Sequence, residues 1–376
     1  MANQAPVARA WRGVVLAAAL AVIGTPASAQ IRIGQTAGFT GAVAAGVKEV
    51  SSGAKLYLDA INQGGGVAGQ TIELIALDDK FEPALAAENA KKLIDQGVIA
   101  LFLTRGTPHT QAVLPLLAQY KVPLIGPSTG AMALHDPVHP WLFNVRATYQ
   151  REAERAVRHL SLIGMDRIAI VQVEDSFGSD AAQGALKGFV GVGKQPVLHE
   201  KFDRSKPDLA PIIPKILKAD AQAVLFVASG SMVADGVKLL RAAGSRAQIV
   251  TLSNNASSGF VKSLGENARG TVVSQVFPYE RSLSAPMVKE ATDHARAAGL
   301  AELTPAMLEG YAAAKVLVEG LRRASPNPTR DKLKTALETF RRFDLGGLEL
   351  SYTPTDHSGL DYADLSIVGE DGKFRR

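Results

Sequence analysis

Short apolar runs alternate with amphipathic segments along almost the whole chain from residue 31 onward. Read by period, residues 31–35, 71–77, 98–103 and 122–125 are predicted strands, and residues 46–62, 83–96 and 110–120 are predicted helices. Punctuation supports these limits. Gly64-Gly65-Gly66 and Gly97 can take the left-handed turn that ends a helix, and Pro83 falls in the first turn, where proline is tolerated. After a strand at 142–146 and a helix at 151–163 the pattern restarts. It runs strand 167–173, helix 179–190, strand 196–202, helix 208–217, strand 223–228, helix 232–243 and strand 249–252. Two βαβ blocks of similar length predict an α/β fold of two Rossmann-like lobes, each with a parallel sheet.

The last hundred residues read differently. Residues 270–277 form a strand, 285–298, 305–323 and 329–339 form helices, and 347–352 and 362–368 are alternating strands. No Pro-, Gly- and Ser-rich linker separates the two blocks. The chain is therefore expected to cross between lobes by strands, which permits hinge closure around a ligand.

Residues 1–29 stand outside this pattern. Arg9 and Arg12 precede an apolar run at 14–23 that leads to Ala27-Ser28-Ala29, the layout of a secretory signal cleaved after Ala29. Later apolar stretches all fall short of the roughly 18 residues that a membrane span needs. The 376 residues contain no cysteine, which excludes disulfides, thiol nucleophiles, thiolate metal sites and a lipidated cysteine at the cleavage point. An unanchored periplasmic protein is expected. Removing the signal takes away two arginines and no acid, so the formal charge of +5 becomes +3. The basic residues are scattered, so nucleic acid is not an expected partner.

Candidate chemistry gathers in the polar breaks of the first block. Residues 104–109 and 126–130 each follow a strand and precede a helix, which places both at the carboxyl edge of a parallel sheet, where open α/β sheets bind ligands. Both are rich in hydroxyls and free of paired acids. Hydroxyls and backbone N–H groups at helix starts suit a small carboxylate. Arg105 is either a solvated rim charge or a bidentate clamp on that carboxylate. Thr107 is either a helix cap or a ligand contact, and Thr107 and Ser128 are expected to converge on one carboxylate. His109 reads as a surface residue at a helix start. Phe177 is either core or a platform in the polar turn Asp175-Ser176-Phe177-Gly178. Asp78-Asp79 reads as a turn and cap rather than an acid/base pair, because adjacent strand residues point in opposite directions.

Ile31-Arg32-Ile33-Gly34 with Gly38-Phe39-Thr40-Gly41 is followed in order by Gly53-Ala54, then Asp59-Ala60-Ile61-Asn62 and the glycines from Gly64 to Gly69. Asp78-Asp79 with Pro83 and Gly310-Tyr311-Ala312-Ala313 complete the series. In the order and spacing of these residues the chain resembles, over nearly all of its mature length, the type I periplasmic binding proteins of the leucine/isoleucine/valine-binding kind. The resemblance implies a small-molecule receptor for the membrane permease of an ABC importer, without chemistry or cofactor of its own and expected to be monomeric. It implies two lobes, 31–147 with 273–352 and 148–272 with 353–376, joined by a three-crossover hinge near Arg146, Val273 and Tyr352. By the same resemblance Thr107 takes the hydroxyl position of the carboxylate site, Ser128 and Thr129 sit in the second loop, and Phe177 is the aromatic of the second lobe. Ser229 is counted with this ligand-binding set. The acid that meets a ligand ammonium falls on Asn254, an aromatic near the first loop falls on Gly46, and the family's two bridging cysteines fall on Phe81 and Gly106. The implied solute is a small carboxylate, branched-chain amino acid-like, a 2-oxo acid or an aromatic acid; because Asn254 brings no negative charge, one without an obligatory α-amino group is expected. Glu174 and Asp175 lie close enough in sequence to compensate.

Other functional classes can be weighed on the residues. Gly126-Pro127-Ser128-Thr129-Gly130 matches G-x-S-x-G between strand and helix, which allows a secreted serine hydrolase built on Ser128. Its histidine would be His294 or His357, but Pro127 fits a sharp elbow poorly and no His-Gly-Gly segment precedes it. The stretch 41–48 imitates a P-loop, yet its lysine comes one residue late and Glu49 replaces the magnesium-binding hydroxyl. The seven histidines are dispersed, without metal-ligand spacing. A periplasmic ligand sensor feeding a membrane partner other than a permease is the remaining alternative.

Overall fold

The computed structural model describes residues 1–2 and 30–376; the proposed signal at 1–29 lies almost wholly outside the described residues. The first sheet is built from β1 (Ile31–Ala37), β2 (Ile72–Asp78), β3 (Ala100–Phe102), β4 (Leu124–Ile125) and β5 (Leu142–Phe143), with α1 (Ala44–Gln63), α2 (Pro83–Asp95) and α3 (Thr107–Tyr120) between them. Its strands run parallel in the order β2-β1-β3-β4-β5. Central β3 is fully buried, as its unbroken apolar run requires of a strand covered on both faces.

The second sheet repeats the plan. Its elements are α4 (Tyr149–Leu162), β6 (Ile168–Val173), α5 (Ser176–Gly191), β7 (Leu198–Phe202), α6 (Ile213–Lys218), β8 (Ala223–Val227), α7 (Gly230–Ala242), β9 (Gln248–Thr251), α8 (Ser258–Leu264) and β10 (Val272–Gln275). From β7 to β10 the order is β7-β6-β8-β9-β10, the same winding as the first lobe. The remaining elements are α9 (Pro286–Ala297), α10 (Pro305–Arg323), α11 (Arg330–Leu337), β11 (Phe343–Asp344), β12 (Glu349–Leu350), β13 (Asp364–Val368) and β14 (Phe374–Arg375). β13 pairs antiparallel to β10, and β14 extends that sheet.

The late helices return to the first lobe. α10 crosses α1 at two glycines: a Cβ on Gly53 would stand 1.8 Å from the Met307 carbonyl oxygen, and one on Gly310 would stand 1.8 Å from that of Val50. Only hydrogen fits at either point, so these glycines bring the two helices into backbone contact and close the core between sheet one, α1, α9 and α10. The chain thus passes between the two sheets after β5, after β10 and before β13. The expected division at Val273 cuts β10, whose four residues all pair within the second sheet.

Local departures from the predicted elements have local causes. The helix expected at 208–217 begins only at Ile213, because Pro214 can occupy just the first turn. Leu103 has φ of +50°, which ends β3 one residue before the predicted limit. The short helix α8 and edge strand β14 escape a reading by period because neither spans enough residues to establish one. Among the described residues, no helix is long and apolar enough to cross a membrane.

Candidate functional site

The carboxyl-edge loops of the two sheets face each other. From the first lobe come Val43 after β1, Phe81 after β2, and Arg105 to Pro108 after β3. From the second come Phe177 after β6, Arg204 after β7, Ser229 after β8 and Asn254 after β9. With Tyr149 at the start of α4, these residues line a narrow pocket in the cleft. It is built at the point that the winding of both sheets prepares.

Arg105 is the pivot. Its side chain crosses from lobe to lobe, Nη1 donating to Ser128 Oγ at 2.7 Å and Nη2 to the Asn254 carbonyl at 2.6 Å. It is only 6% exposed, and among the described residues no carboxylate forms an ion pair with it. A buried guanidinium without a counter-charge is costly unless an anion completes it. Arg105 is therefore no rim charge. Thr107 opens α3 and lines the cavity, and its hydroxyl shares a 2.8 Å hydrogen bond with that of Thr129. It does not cap the helix through its side chain, since α3 has no side-chain cap. Ser128 and Thr129 are buried behind the wall: one holds Arg105 and the other holds Thr107.

The second lobe supplies a matching set. Phe177 is buried in its lobe's core and meets Tyr149 edge-on at 4.8 Å, so it is core and cavity wall at once. Asp175 caps α5 by accepting from Gly178 N–H at 2.9 Å, and its other oxygen takes Arg204 Nε at 2.6 Å. Arg204 Nη1 donates to Ser229 Oγ at 2.8 Å, and the guanidinium lies 5.3 Å from the ring centre of Phe81 across the cleft. Asp175 is thus engaged by Arg204 and the helix start, and Glu174 is exposed. Neither replaces the acid absent at Asn254. Asn254 Nδ2 donates to the Ala228 carbonyl at 3.0 Å, while its Oδ1 is buried without a partner.

His109 corrects the expectation of a surface residue. α3 starts three residues earlier than its apolar period shows, which turns His109 inward, and its ring stacks on Phe81 with centres 4.1 Å apart. Gly106 makes room for that stack. Its φ is +93°, and a Cβ there would fall 2.7 Å from His109 Nδ1 and 2.9 Å from Phe81. Burial pushes the His109 imidazole down from 6.5 to about 4. Between those values the unfolded chain binds a proton that the folded state refuses, so this contribution is full above about pH 6.5 and is lost as pH falls. For His109→Asn, stability relative to the native protein is expected to rise by about 1.4 kcal/mol per pH unit as pH falls through that window. Asp79, pushed up to about 6 by burial, acts in the opposite sense, so the readout is the difference between the two proteins in urea titrations at stepped pH. A difference independent of pH contradicts it.

Further contacts join the lobes. Glu49 of α1 accepts from the N–H groups of Ser258 and Gly259 at 3.0 and 2.9 Å and from the Ser258 hydroxyl at 2.6 Å, at the start of α8. Ser176 donates to Gln111 at 2.7 Å, and Met132 N–H to Asp180 at 3.0 Å. At the hinge, Glu152 is fully buried, paired with Arg146, and accepts from Ser253 N–H at 2.8 Å and from the Ser274 hydroxyl. Phe81, Arg204 and Tyr149 were not picked out by sequence reasoning. Arg204 could have been found, since it follows the strand at 196–202 and so belongs to another carboxyl-edge loop.

The hydrolase reading finds no base here. Ser128 Oγ is bonded to Arg105, while His294 bonds the Tyr311 hydroxyl at 2.9 Å and His357 Nδ1 lies 2.8 Å from the Leu142 carbonyl oxygen. The Asp78-Asp79 pair anchors turns: Asp78 accepts from Phe39 and Lys80 N–H at 2.9 Å, and Asp79 from Phe81 N–H at 2.9 Å.

Two α/β lobes of equal winding, joined by three crossings and facing each other across a cationic, aromatic-walled cleft, define a two-lobed solute-binding protein. The chain belongs to the periplasmic binding protein family, whose model matches residues 30–372. It is 26% identical over 359 residues to the Leu/Ile/Val-binding protein homolog 3 of Brucella melitensis, covering 93% of this chain and 94% of that one. A substrate-binding periplasmic protein of Ralstonia solanacearum superposes with a TM-score of 0.84 at 31% identity, covering 92% of this chain and 99% of that one. A possible leucine/isoleucine/valine-binding protein of Rhodopirellula baltica does so with a TM-score of 0.87 at 27% identity, covering 94% and 98%. Proteins of this family are periplasmic binding proteins that typically serve ABC transporters.

Proposed function

We propose that this chain is the exported, monomeric solute-capturing subunit of an ABC importer, freed of residues 1–29 and presented to a membrane permease. Its solute is a small carboxylate without an obligatory α-amino group, held between the lobes by Arg105 and Thr107, against Phe177, Ser229 and Asn254. Ser128 and Thr129 position the first two. One observation carries this reading: Arg105 is a buried cation that lacks a carboxylate partner among the described residues and faces an aromatic-walled cavity. A carboxylate arriving there gains charge-assisted hydrogen bonds in a dry cleft, each worth about 1.5–3 kcal/mol. An ammonium arriving beside Asn254 finds amide and hydroxyl oxygens but no charge.

A thermal-shift panel at millimolar ligand tests the class, because a hundredfold excess over Kd contributes about 2.7 kcal/mol. Aromatic acids or 2-oxo acids are expected to raise the midpoint more than leucine, isoleucine or valine. Strong stabilisation by the branched-chain amino acids, with none by their 2-oxo analogues, contradicts the reading of Asn254. Thr107→Ala is expected to weaken the best carboxylate of that panel by about 1–3 kcal/mol, roughly 5- to 150-fold. Ser128→Ala, which acts only through Arg105, is expected to cost less. Titration calorimetry of both variants measures this, and a larger loss for Ser128→Ala would place the ligand behind Arg105 rather than in front of it.

A further inference from the structure

A second chamber lies on the far side of Arg105. It is bordered by the start of α1 and the starts of α7 and α8. Val43, Arg105 and Asn254 border both chambers, so the 2.6 Å bond from Arg105 to the Asn254 carbonyl forms the partition. The two sides differ in chemistry. The first is aromatic, with Phe81, Tyr149 and Phe177. The second has one aromatic, Phe260, and is otherwise lined by small residues, Asn255 and three serines, Ser231, Ser257 and Ser263; Arg105 is its one charged lining residue. Its space exists because residue 46 is glycine: a Cβ there would meet nothing nearer than Arg105 Nη2 at 3.8 Å and the Asn254 carbonyl oxygen at 3.9 Å. Asn254, which borders both chambers, has its side-chain Oδ1 buried and without a hydrogen-bond partner among the described residues. A neutral N–H satisfies such an acceptor, whereas an ammonium would remain without a counter-charge.

We propose that the cleft takes an N-acylated amino acid or a close analogue, a carboxylate carrying an apolar arm and an acylamido arm. The apolar arm fills the aromatic chamber and the carboxylate completes Arg105. The acylamido group enters the serine-lined chamber, its N–H on Asn254 Oδ1 and its carbonyl oxygen among the serine hydroxyls. This rests on the reading of the cleft as a carboxylate site and specifies the second substituent of its ligand.

Titration calorimetry of the exported protein with N-acetyl-L-phenylalanine, 3-phenylpropanoate and L-phenylalanine tests it. N-acetyl-L-phenylalanine is expected to bind about fivefold more tightly than 3-phenylpropanoate, the worth of one added neutral hydrogen bond, and more tightly than L-phenylalanine. Gly46→Leu fills the second chamber from an ordinary helical position and is expected to bring the ratio of the first two affinities close to one. Binding of 3-phenylpropanoate with no gain from the acylamido arm, or a gain that survives Gly46→Leu, overturns the proposal and leaves the carboxylate reading in place. Tightest binding by L-phenylalanine, or binding by none of the three, overturns both.

Discussion

The Arg105→Gln variant is expected to bind the preferred carboxylate about 10²- to 10⁴-fold more weakly than the native protein. Two charge-assisted hydrogen bonds from one guanidinium, at about 1.5–3 kcal/mol each, set that range. The loss has a second source, because Arg105 also ties the lobes together through the Asn254 carbonyl. Glutamine reaches neither partner with a fork and brings no charge. Arg105→Lys restores the charge without the paired donors and is expected to recover only part of the affinity. Titration calorimetry with the best carboxylate of the thermal panel measures both variants, and a loss under about tenfold in Arg105→Gln contradicts the assignment of the anion to this residue.

The largest expected effect on stability is at the hinge. Arg146 is 1% exposed and Glu152 is 0% exposed, and the carboxylate of Glu152 binds Arg146 along with Ser253 N–H and the Ser274 hydroxyl. One buried acid thereby joins the first crossing strand, the loop after β9 and the strand before the second crossing. Glu152→Gln removes the paired carboxylate of a buried arginine, leaving Glu309 outside ion-pair distance as its nearby acid, and replaces one of its two acceptor oxygens by a donor. Breaking a buried pair from one side costs about 3–5 kcal/mol, which for a chain of this size lowers the thermal midpoint by roughly 5–10 °C. Arg146→Met combined with Glu152→Leu is expected to regain most of this, since replacing both partners removes the orphaned charge. Scanning calorimetry gives the comparison. A double variant no more stable than Glu152→Gln would show that the contacts, rather than the unpaired charge, carry the effect.

The parts of the molecule that were legible in the sequence are those that a local pattern encodes. Strands such as β3 and β8 are unbroken apolar runs because helices cover both their faces, and α10 over 305–323 is apolar on nearly every face because it is buried almost all round. Arg105 and Thr107 were legible for a related reason: they follow a strand at the start of a helix, so the parallel winding carries them to one edge of a sheet, whereas Phe177 and Asn254 were placed by the resemblance to the family. Proximity between lobes leaves no such trace. Nothing near Phe81 indicates that Arg204 lies over its ring, and nothing near Glu49 points to the start of α8 some two hundred residues on. His109 was misjudged because its helix begins with Thr-Pro before the apolar period is established. Ser128 was expected to touch ligand directly. Its hydroxyl instead accepts from Arg105, a role visible only once the side chains are placed.

The identity of the small molecule retained by the exported protein tests the central reading most directly. The protein is purified from the periplasm without added ligand and denatured, and the released solute is identified by mass spectrometry beside an Arg105→Gln control. The expected result is a carboxylate without a free α-amino group, present with the native protein and absent from the control. A cation, a neutral sugar, or leucine, isoleucine or valine retained equally by both proteins would contradict a carboxylate site built on Arg105.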